Sequence, residues 1–369
     1  MIQGRKILLI SPFERWPTLN GTITRTHYQY KYLSNKNIVW FAFRYGRESD
    51  EQGVERGIAN SPRVLAQLFN LRFFQKLMRT VQREKIEIIF VSFLWSAIHG
   101  CILKLLTGRT LIIDTHNVEY YRFKQASSPF WPLIAIFELL AYTIADQVIC
   151  VSEIDKALIQ STFKVPTQKL HVAPNGADIA TLSDYAPDTK NVKKSLGLEP
   201  EQALILFYGS LNYSANKHAV DIIIDEICPR LRELHMNWRI VIAGAGAEDY
   251  FQHGPKKLPP EILFAGFVDD LVAVIRSSNV VIAPLMSGSG TRLKILESVA
   301  CHRRVISTPI GAEGLERDVF GSSLIIQNNW DDFANCIANI LDLDPEVLPG
   351  PDFMERYDWN HIFDRLDLL

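Results

Sequence analysis

Short runs of β-branched and aliphatic residues recur along the 369-residue chain, with stretches of helical periodicity between them. The first series lies at 6–11, 37–43, 88–93, 110–115, 147–152 and 170–174. A second begins at 203–208 and continues at 239–244, 262–265, 279–284, 304–308 and 323–327. Near-continuous apolar runs alternating with amphipathic stretches predict βα units on a parallel sheet covered on both faces. Because the alternation occurs twice, the pattern predicts an α/β protein of two doubly wound domains. Between the two series, residues 178–202 are polar and broken by Pro187 and Pro200, which predicts a linker carrying a short charged helix. The expected boundaries are 1–182 for the first domain, 183–351 for the second and 352–369 for a terminal helix after the loop LPGP at 348–351.

Individual helices carry their own signals. Ser152 and Asp155 have capping-box spacing directly after a strand. Val220, Ile223, Ile224, Ile227, Leu231 and Leu234 form one apolar stripe, within which Pro229 should kink or split the helix. The most hydrophobic window, 130–145 (FWPLIAIFELLAYTIA), is shorter than the roughly 20 residues a spanning helix needs and contains Glu138. It reads as a buried helix. Contact with a membrane surface is the alternative, since Arg109, Arg122 and Lys124 lie nearby.

Composition excludes disorder: 47% of residues are hydrophobic and 22% charged. The net charge of −2 hides an asymmetry, with 22 Lys and Arg against 15 Asp and Glu over residues 1–185, and 17 against 26 over the remainder. A basic first half suits an anionic surface or a phosphorylated substrate, or is simply a solvated face. The five cysteines are far apart, with no C-x-x-C pair, which suggests neither a zinc site nor a disulfide framework. The apolar run at 7–10 is too short for a signal peptide, so the cytoplasm is the expected compartment, or the inner face of a membrane. There is no basic run interleaved with aromatics, and no nucleic-acid partner is expected.

The richest chemistry lies at 284–297 (PLMSGSGTRLKILE). A strand runs into a glycine-containing loop that opens a helix, an arrangement that leaves backbone N–H groups free to bind phosphate. Arg292 and Lys294 stand in the first turn, where cations oppose the helix dipole and an anion facing them would offset the cost. Glu297, one turn on, is placed to accept from two ribose hydroxyls, or to pair with Lys294.

The run SGSGTRLKILESVA at 287–300, followed by RRVISTPIGAEGLE at 303–316, resembles the donor-site segment of family 4 glycosyltransferases. Other segments agree in order: DTHNVEYYR at 114–122, VICVSE at 148–153, APNGAD at 173–178, YGSLNYSAN at 208–216, FAGFV at 264–268 and ERYDW at 355–359. The resemblance implies the GT-B architecture, two Rossmann-like domains facing a cleft with the last helix crossing back to the first. It further implies a retaining transfer of sugar from a nucleoside diphosphate sugar, without metal or other cofactor, to a glycan or lipid-linked acceptor in polysaccharide or cell-surface glycan biosynthesis. By the same resemblance His116 lies near the transferred sugar and Glu297 holds the ribose; His116, Arg292 and Lys294 are the expected catalytic residues, and Glu297, Ser289, Gly290, Thr291, Gly209, Ser210 and Phe267 are expected to bind donor. Asn20, Gly21 and Thr22 form a loop contacting phosphate or acceptor, although Asn-Gly is also a common turn. Peripheral contact of the first domain with the inner membrane is a further expectation.

Two departures stand out. Ser289 occupies the place of the family's first paired glutamate, which normally touches the sugar. After the strand at 203–208, where many members carry an arginine and a lysine, this chain has Ser210 and Ala215, with Lys217 nearby; Arg292 and Lys294 are expected to supply the missing charge. Glu119 and Arg122 have i, i+3 spacing for an ion pair and receive no catalytic role. Competing readings are a non-catalytic nucleotide-sugar scaffold, given Ser289, and a nucleotide-sugar epimerase. A dinucleotide oxidoreductase is disfavoured because the GAG of 244–246 continues to Asp249 where a third glycine belongs. A lone D-x-D at 342–344 beside Pro345 is a weak metal signal.

Overall fold

The structure, a computed structural model, describes residues 3–12, 21–43, 71–234, 237–246, 250, 258–287 and 293–366. It divides into two compact units, Met1–Asn175 together with Trp359–Leu369, and Gly176–Asp358.

In the first unit the described elements are β1 (Lys6–Ser11), α1 (Gly21–Lys36), β2 (Ile38–Phe43), α2 (Leu71–Arg83), β3 (Ile88–Ser92), α3 (Ala97–Thr107), β4 (Thr110–Asp114), α4 (Glu119–Gln125), α5 (Trp131–Ile144), β5 (Gln147–Cys150), α6 (Glu153–Phe163) and β6 (Leu170–Val172). The strands form one six-stranded sheet in the order β2-β1-β3-β4-β5-β6. All of its ladders are parallel. The order reverses between β1 and β3, the switch point beyond which doubly wound sheets bind ligands. The α6 N-terminus is capped as its spacing predicts, with Ser152 Oγ accepting from the Asp155 N–H at 3.0 Å.

The second unit contains α7 (Ile179–Asp184), α8 (Thr189–Ser195), β7 (Ala203–Tyr208), α9 (Ser214–Ile222), α10 (Cys228–Glu233), β8 (Trp238–Ala243), β9 (Ile262–Gly266), α11 (Leu271–Ser277), β10 (Val280–Ala283), α12 (Leu293–Ala300), β11 (Val305–Ser307), β12 (Leu324–Ile326), α13 (Trp330–Leu341) and α14 (Phe353–Tyr357). Its parallel sheet runs β12-β11-β10-β7-β8-β9 and reverses between β10 and β7. Successive residues of β7 serve opposite cores: Leu204 and Leu206 pack on one face, Ile205 and Phe207 on the other. This double coverage explains why the strands read as apolar runs rather than alternations. Each of the twelve expected runs overlaps one of these strands, with ends that differ by at most a residue or two, so the α/β doubly wound class is what the structure shows.

Three expectations change. The 178–202 segment is not a free linker: Asp178 and Asp188 cap α7 and α8, whose Leu182 and Val192 pack on the second core. The chain therefore passes between units at Asn175 and Gly176 rather than near 182. The tail is likewise broken at the extended Asp358, which bridges to Ala177, so α14 stays in the second unit. Only α15 (Trp359–Asp364) returns to the first unit, where Trp359 stacks on Tyr28 and Phe363 contacts Tyr32. Pro229, which has no N–H to donate, follows a π-turn at Ile223–Ile227 that separates α9 from α10. Finally, the 130–145 helix is buried on one side only. Glu138, Ala141 and Tyr142 point inward, while Leu133, Ile136 and Leu140 are exposed.

Candidate active site

In the second unit, β7, β8 and β9 end in a row of closely packed backbone. The Gly244 N–H donates to the Gly266 carbonyl at 2.7 Å, and the Gly209 N–H donates to the Ala243 carbonyl at 2.9 Å. A β-carbon on Gly244 would meet the Gly209 carbonyl oxygen at 2.2 Å, so the GAG at 244–246 serves tight packing against the loop after β7. Gly209 itself adopts φ 148°, a conformation that favours glycine.

Over this floor stands Lys294, in the first turn of α12. Its Nζ donates to Asn216 Oδ1 at 3.0 Å and lies 4.4 Å from the centre of the Phe207 ring. Asn216 in turn donates through Nδ2 to the Ser210 carbonyl at 2.8 Å, and Ser210 Oγ accepts from the Asn212 N–H at 3.3 Å. The ammonium is thereby fixed beside Gly209 and Ser210, at the β10/β7 switch point. Glu297, on the same helix, accepts from the Tyr208 hydroxyl at 3.2 Å; that hydroxyl also lies 2.7 Å from the Lys294 carbonyl. Burial raises the Glu297 carboxyl above its ordinary range, against the opposing pull of the Tyr208 hydrogen bond and the Lys294 charge. Phe267 follows Gly266 and is largely exposed.

Lys294, Glu297, Gly209 and Ser210 are thus brought together, with Phe267 at the end of the adjoining row. Ser289, Gly290, Thr291, Arg292 and Asn20 lie outside the described residues. Gly21 and Thr22 open α1, where the Thr22 carbonyl accepts from Thr26 Oγ1 at 3.0 Å.

In the first unit His116 sits beyond β4 with φ 58° and is almost fully buried. Its Nε2 is 3.0 Å from Ser92 Oγ, and its ring meets Phe93 edge-on at 5.3 Å. Behind it lies a polar network that periodicity alone did not suggest. Arg25 forms a fork on Asp114, with Nη2 2.7 Å from Oδ2 and Nε 3.0 Å from Oδ1. Gln29 Nε2 donates to the same carboxylate at 2.7 Å, while its Oε1 accepts from Ser92 Oγ at 2.7 Å. Arg25 also reaches the carbonyls of Ala173 and Pro174 and the side chain of Asn175, all within 3.1 Å. Both partners are essentially inaccessible to water, so pair and hydrogen bonds must together offset their desolvation. Burial, with Arg25 adding to it and Asp114 opposing, lowers the His116 imidazole to about 4. It is neutral at pH 7.

A sequence signal for this network did exist. The buried positions of α1 include Arg25, Thr26 and Gln29, polar residues where a helix facing a core normally carries aliphatics. Glu119 is likewise buried and pairs with Arg122 at 2.6 Å, as the spacing suggested.

Comparison with known proteins agrees with the geometry. The family model for Glycosyltransferase Family 4 matches residues 19–181, and that for Glycosyl transferases group 1 matches residues 202–343, one over each unit. The chain is 25% identical to an uncharacterized glycosyltransferase of Methanocaldococcus jannaschii, over 80% of this chain and 77% of that protein. It is 23% identical to a UDP-Gal:alpha-D-GlcNAc-diphosphoundecaprenol alpha-1,3-galactosyltransferase of Escherichia coli, over 76% and 73%. Among solved structures it resembles Anabaena HepE in complex with UDP and glucose, with TM-score 0.72, 17% identity and 98% of each chain covered. Two doubly wound sheets, a lysine fixed over a glycine floor at one switch point and a family match over each unit make this chain a glycosyltransferase of family 4, with the GT-B fold.

Proposed function

We propose that the protein transfers a sugar from a nucleoside diphosphate sugar to a lipid-linked or glycan acceptor, with retention of anomeric configuration and without a metal or other cofactor. The observation that carries this reading is the Lys294 ammonium held at the end of β7, where Asn216 and the Phe207 ring orient it beside the glycine floor. A cation already in place stabilises charge that develops on a departing diphosphate without reorganising at the moment of reaction. Lys294 thus takes the place of the cations that the loop after β7 lacks, and Arg292 is proposed to join it. Glu297, oriented by Tyr208, is proposed to receive the ribose hydroxyls.

In the proposed step the bond from the anomeric carbon to the diphosphate oxygen breaks, and its electron pair stays with the diphosphate. The acceptor oxygen bonds to the same face of that carbon, and its proton passes to a phosphate oxygen. No carboxylate forms a covalent sugar intermediate. Neutral His116, whose Nε2 shares a hydrogen bond with Ser92 Oγ, is proposed to lie beside the transferred sugar. A donor carrying UDP and an acceptor carrying a polyprenyl diphosphate are the first candidates, following the Escherichia coli relative's name and the UDP of the HepE complex. Peripheral membrane contact by the first unit belongs to the same reading. NMR of the product anomer tests it: retention is expected, whereas inversion, or a sugar trapped on any Asp or Glu, overturns it.

A further inference from the structure

We infer that Gln29 is a positioning residue for His116: acting through Ser92, it holds the imidazole proton on Nε2 and leaves Nδ1 as a hydrogen-bond acceptor. Its part in turnover rests on the reading that His116 lies beside the transferred sugar; the tautomer does not.

The assignment follows from counting protons. Asp114 accepts from the fork of Arg25, and a carboxylate so paired has no proton to give. Gln29 must therefore turn its amide nitrogen to Asp114, at 2.7 Å, and its oxygen away. Among the described residues the donor to that buried oxygen is Ser92 Oγ, at 2.7 Å, and no other. A hydroxyl has a single proton. Once Ser92 gives it to Gln29, Ser92 Oγ can only accept from His116 Nε2, 3.0 Å away. Were the proton given to the imidazole instead, Gln29 Oε1 would be buried without a donor, a penalty larger than the gain from an ordinary hydrogen bond. Thr26 Oγ1, 2.8 Å from Ser92 Oγ, has a proton of its own for the serine or for the Thr22 carbonyl, and does not need the serine's. Nε2 also stands 3.5 Å from Asp114 Oδ1, a neighbour that suits an N–H and not a lone pair. The neutral ring carries one proton, so Nδ1 is left with its lone pair. No described residue hydrogen-bonds to Nδ1.

The backbone holds the ring in the same place. His116, at φ 58°, and Phe93, at φ 79°, follow the adjoining strands β4 and β3, and their rings meet edge-on. Positive φ at a phenylalanine is costly and persists only where the surroundings enforce it. Here the Phe93 N–H donates to the Asp114 carbonyl at 2.9 Å, and the His116 N–H reaches Asp114 Oδ1 at 3.3 Å. Asp114 thus fixes the backbone under the ring directly, and the proton on the ring through Gln29 and Ser92.

Proton–nitrogen correlation spectra of the full chain, isotope-labelled at histidine, test the inference, with the His116→Asn spectrum identifying the signal among the nine histidines. At pH 7 wild type is expected to show a protonated Nε2 and a bare Nδ1. A proton on Nδ1 overturns the inference, and this result needs no variant to fold. Gln29→Leu keeps the bulk and releases the Ser92 proton towards Nε2. It should move the imidazole proton to Nδ1 and lower kcat about tenfold, with a smaller change in donor KM. An unmoved proton, an unchanged kcat or a loss confined to KM overturns the inference. The double variant His116→Asn/Gln29→Leu should be no slower than His116→Asn alone; additive losses would mean that Gln29 acts elsewhere than on His116. Sugar transfer by a protein with its proton on Nδ1 defeats this inference alone, and a proton on Nε2 in a protein that transfers no sugar defeats the transferase reading alone.

Discussion

The β-carbon that Gly209 lacks would stand 3.1 Å from Nζ of Lys294 and 2.7 Å from Nδ2 of Asn216. The cation and the bare backbone occupy each other's contact distance, which leaves the end of β7 open only because residue 209 has no side chain.

Gly209→Ala therefore displaces the lysine and also forces a side chain into φ 148°. Such backbone strain costs on the order of 1–3 kcal/mol. Calorimetric titration should show donor nucleotide binding at least about tenfold weaker, a change worth about 1.4 kcal/mol. Unchanged affinity would mean that the glycine floor is not where diphosphate binds.

Lys294→Ala removes the ammonium and leaves Asn216 without that donor. Loss of one preorganised stabilising group costs about 100- to 1000-fold in turnover. Steady-state kcat at saturating donor should fall by that order, with a smaller change in donor affinity. Full turnover in this variant would remove Lys294 from the chemistry.

Asp114→Ala strips the buried Arg25 of its carboxylate. Breaking a buried pair by removing one partner typically costs 3–5 kcal/mol because the remaining charge is uncompensated. Equilibrium denaturation should show a loss of about that size, and the structure around His116 should loosen with it. A loss below about 1 kcal/mol would show that the carbonyls of Ala173 and Pro174 suffice to hold the guanidinium.

His116 supplies a pH signature. The unfolded chain protonates this imidazole near 6.5, the folded protein at about 4. The folded pKa is the depressed one, so His116 contributes stability that is fully present above pH 6.5 and lost as pH falls towards 4, about 3 kcal/mol in all. His116→Asn keeps a residue tolerant of positive φ and removes the titration. Denaturation curves between pH 7 and 4 should show wild type losing its advantage over the variant with acidification; parallel curves would contradict the neutral, buried imidazole.

The order of strands was legible because sheets buried on both faces leave continuous apolar runs that one chain displays twice. Boundaries were less so. The polar segment after Asp178 reads as linker, yet its two capped helices each place a few apolar residues, Leu182 and Val192 among them, on the core. Lys294 and Glu297 were visible through their spacing behind a glycine loop, whereas Asn216 and Tyr208, which orient them, come from elements about 80 residues away. The pairing of Arg25 with Asp114 was hidden for the same reason: a buried ion pair spanning 89 positions has no local period. The single inward Glu138 argued correctly against a spanning helix, but hydropathy alone cannot divide a uniformly apolar helix into a covered and an uncovered side.

The central claim is a donor site for a nucleoside diphosphate in the second unit. Its most direct test is thermal unfolding of the purified protein with UDP, GDP, ADP, CMP and dTDP, each with and without EDTA. A nucleotide at 100 times its Kd should add about 2.7 kcal/mol. One nucleoside diphosphate is expected to raise the unfolding temperature equally in both conditions, and Lys294→Ala to reduce the effect. No shift with any nucleotide would contradict the donor site, and a shift abolished by EDTA would contradict its independence of metal.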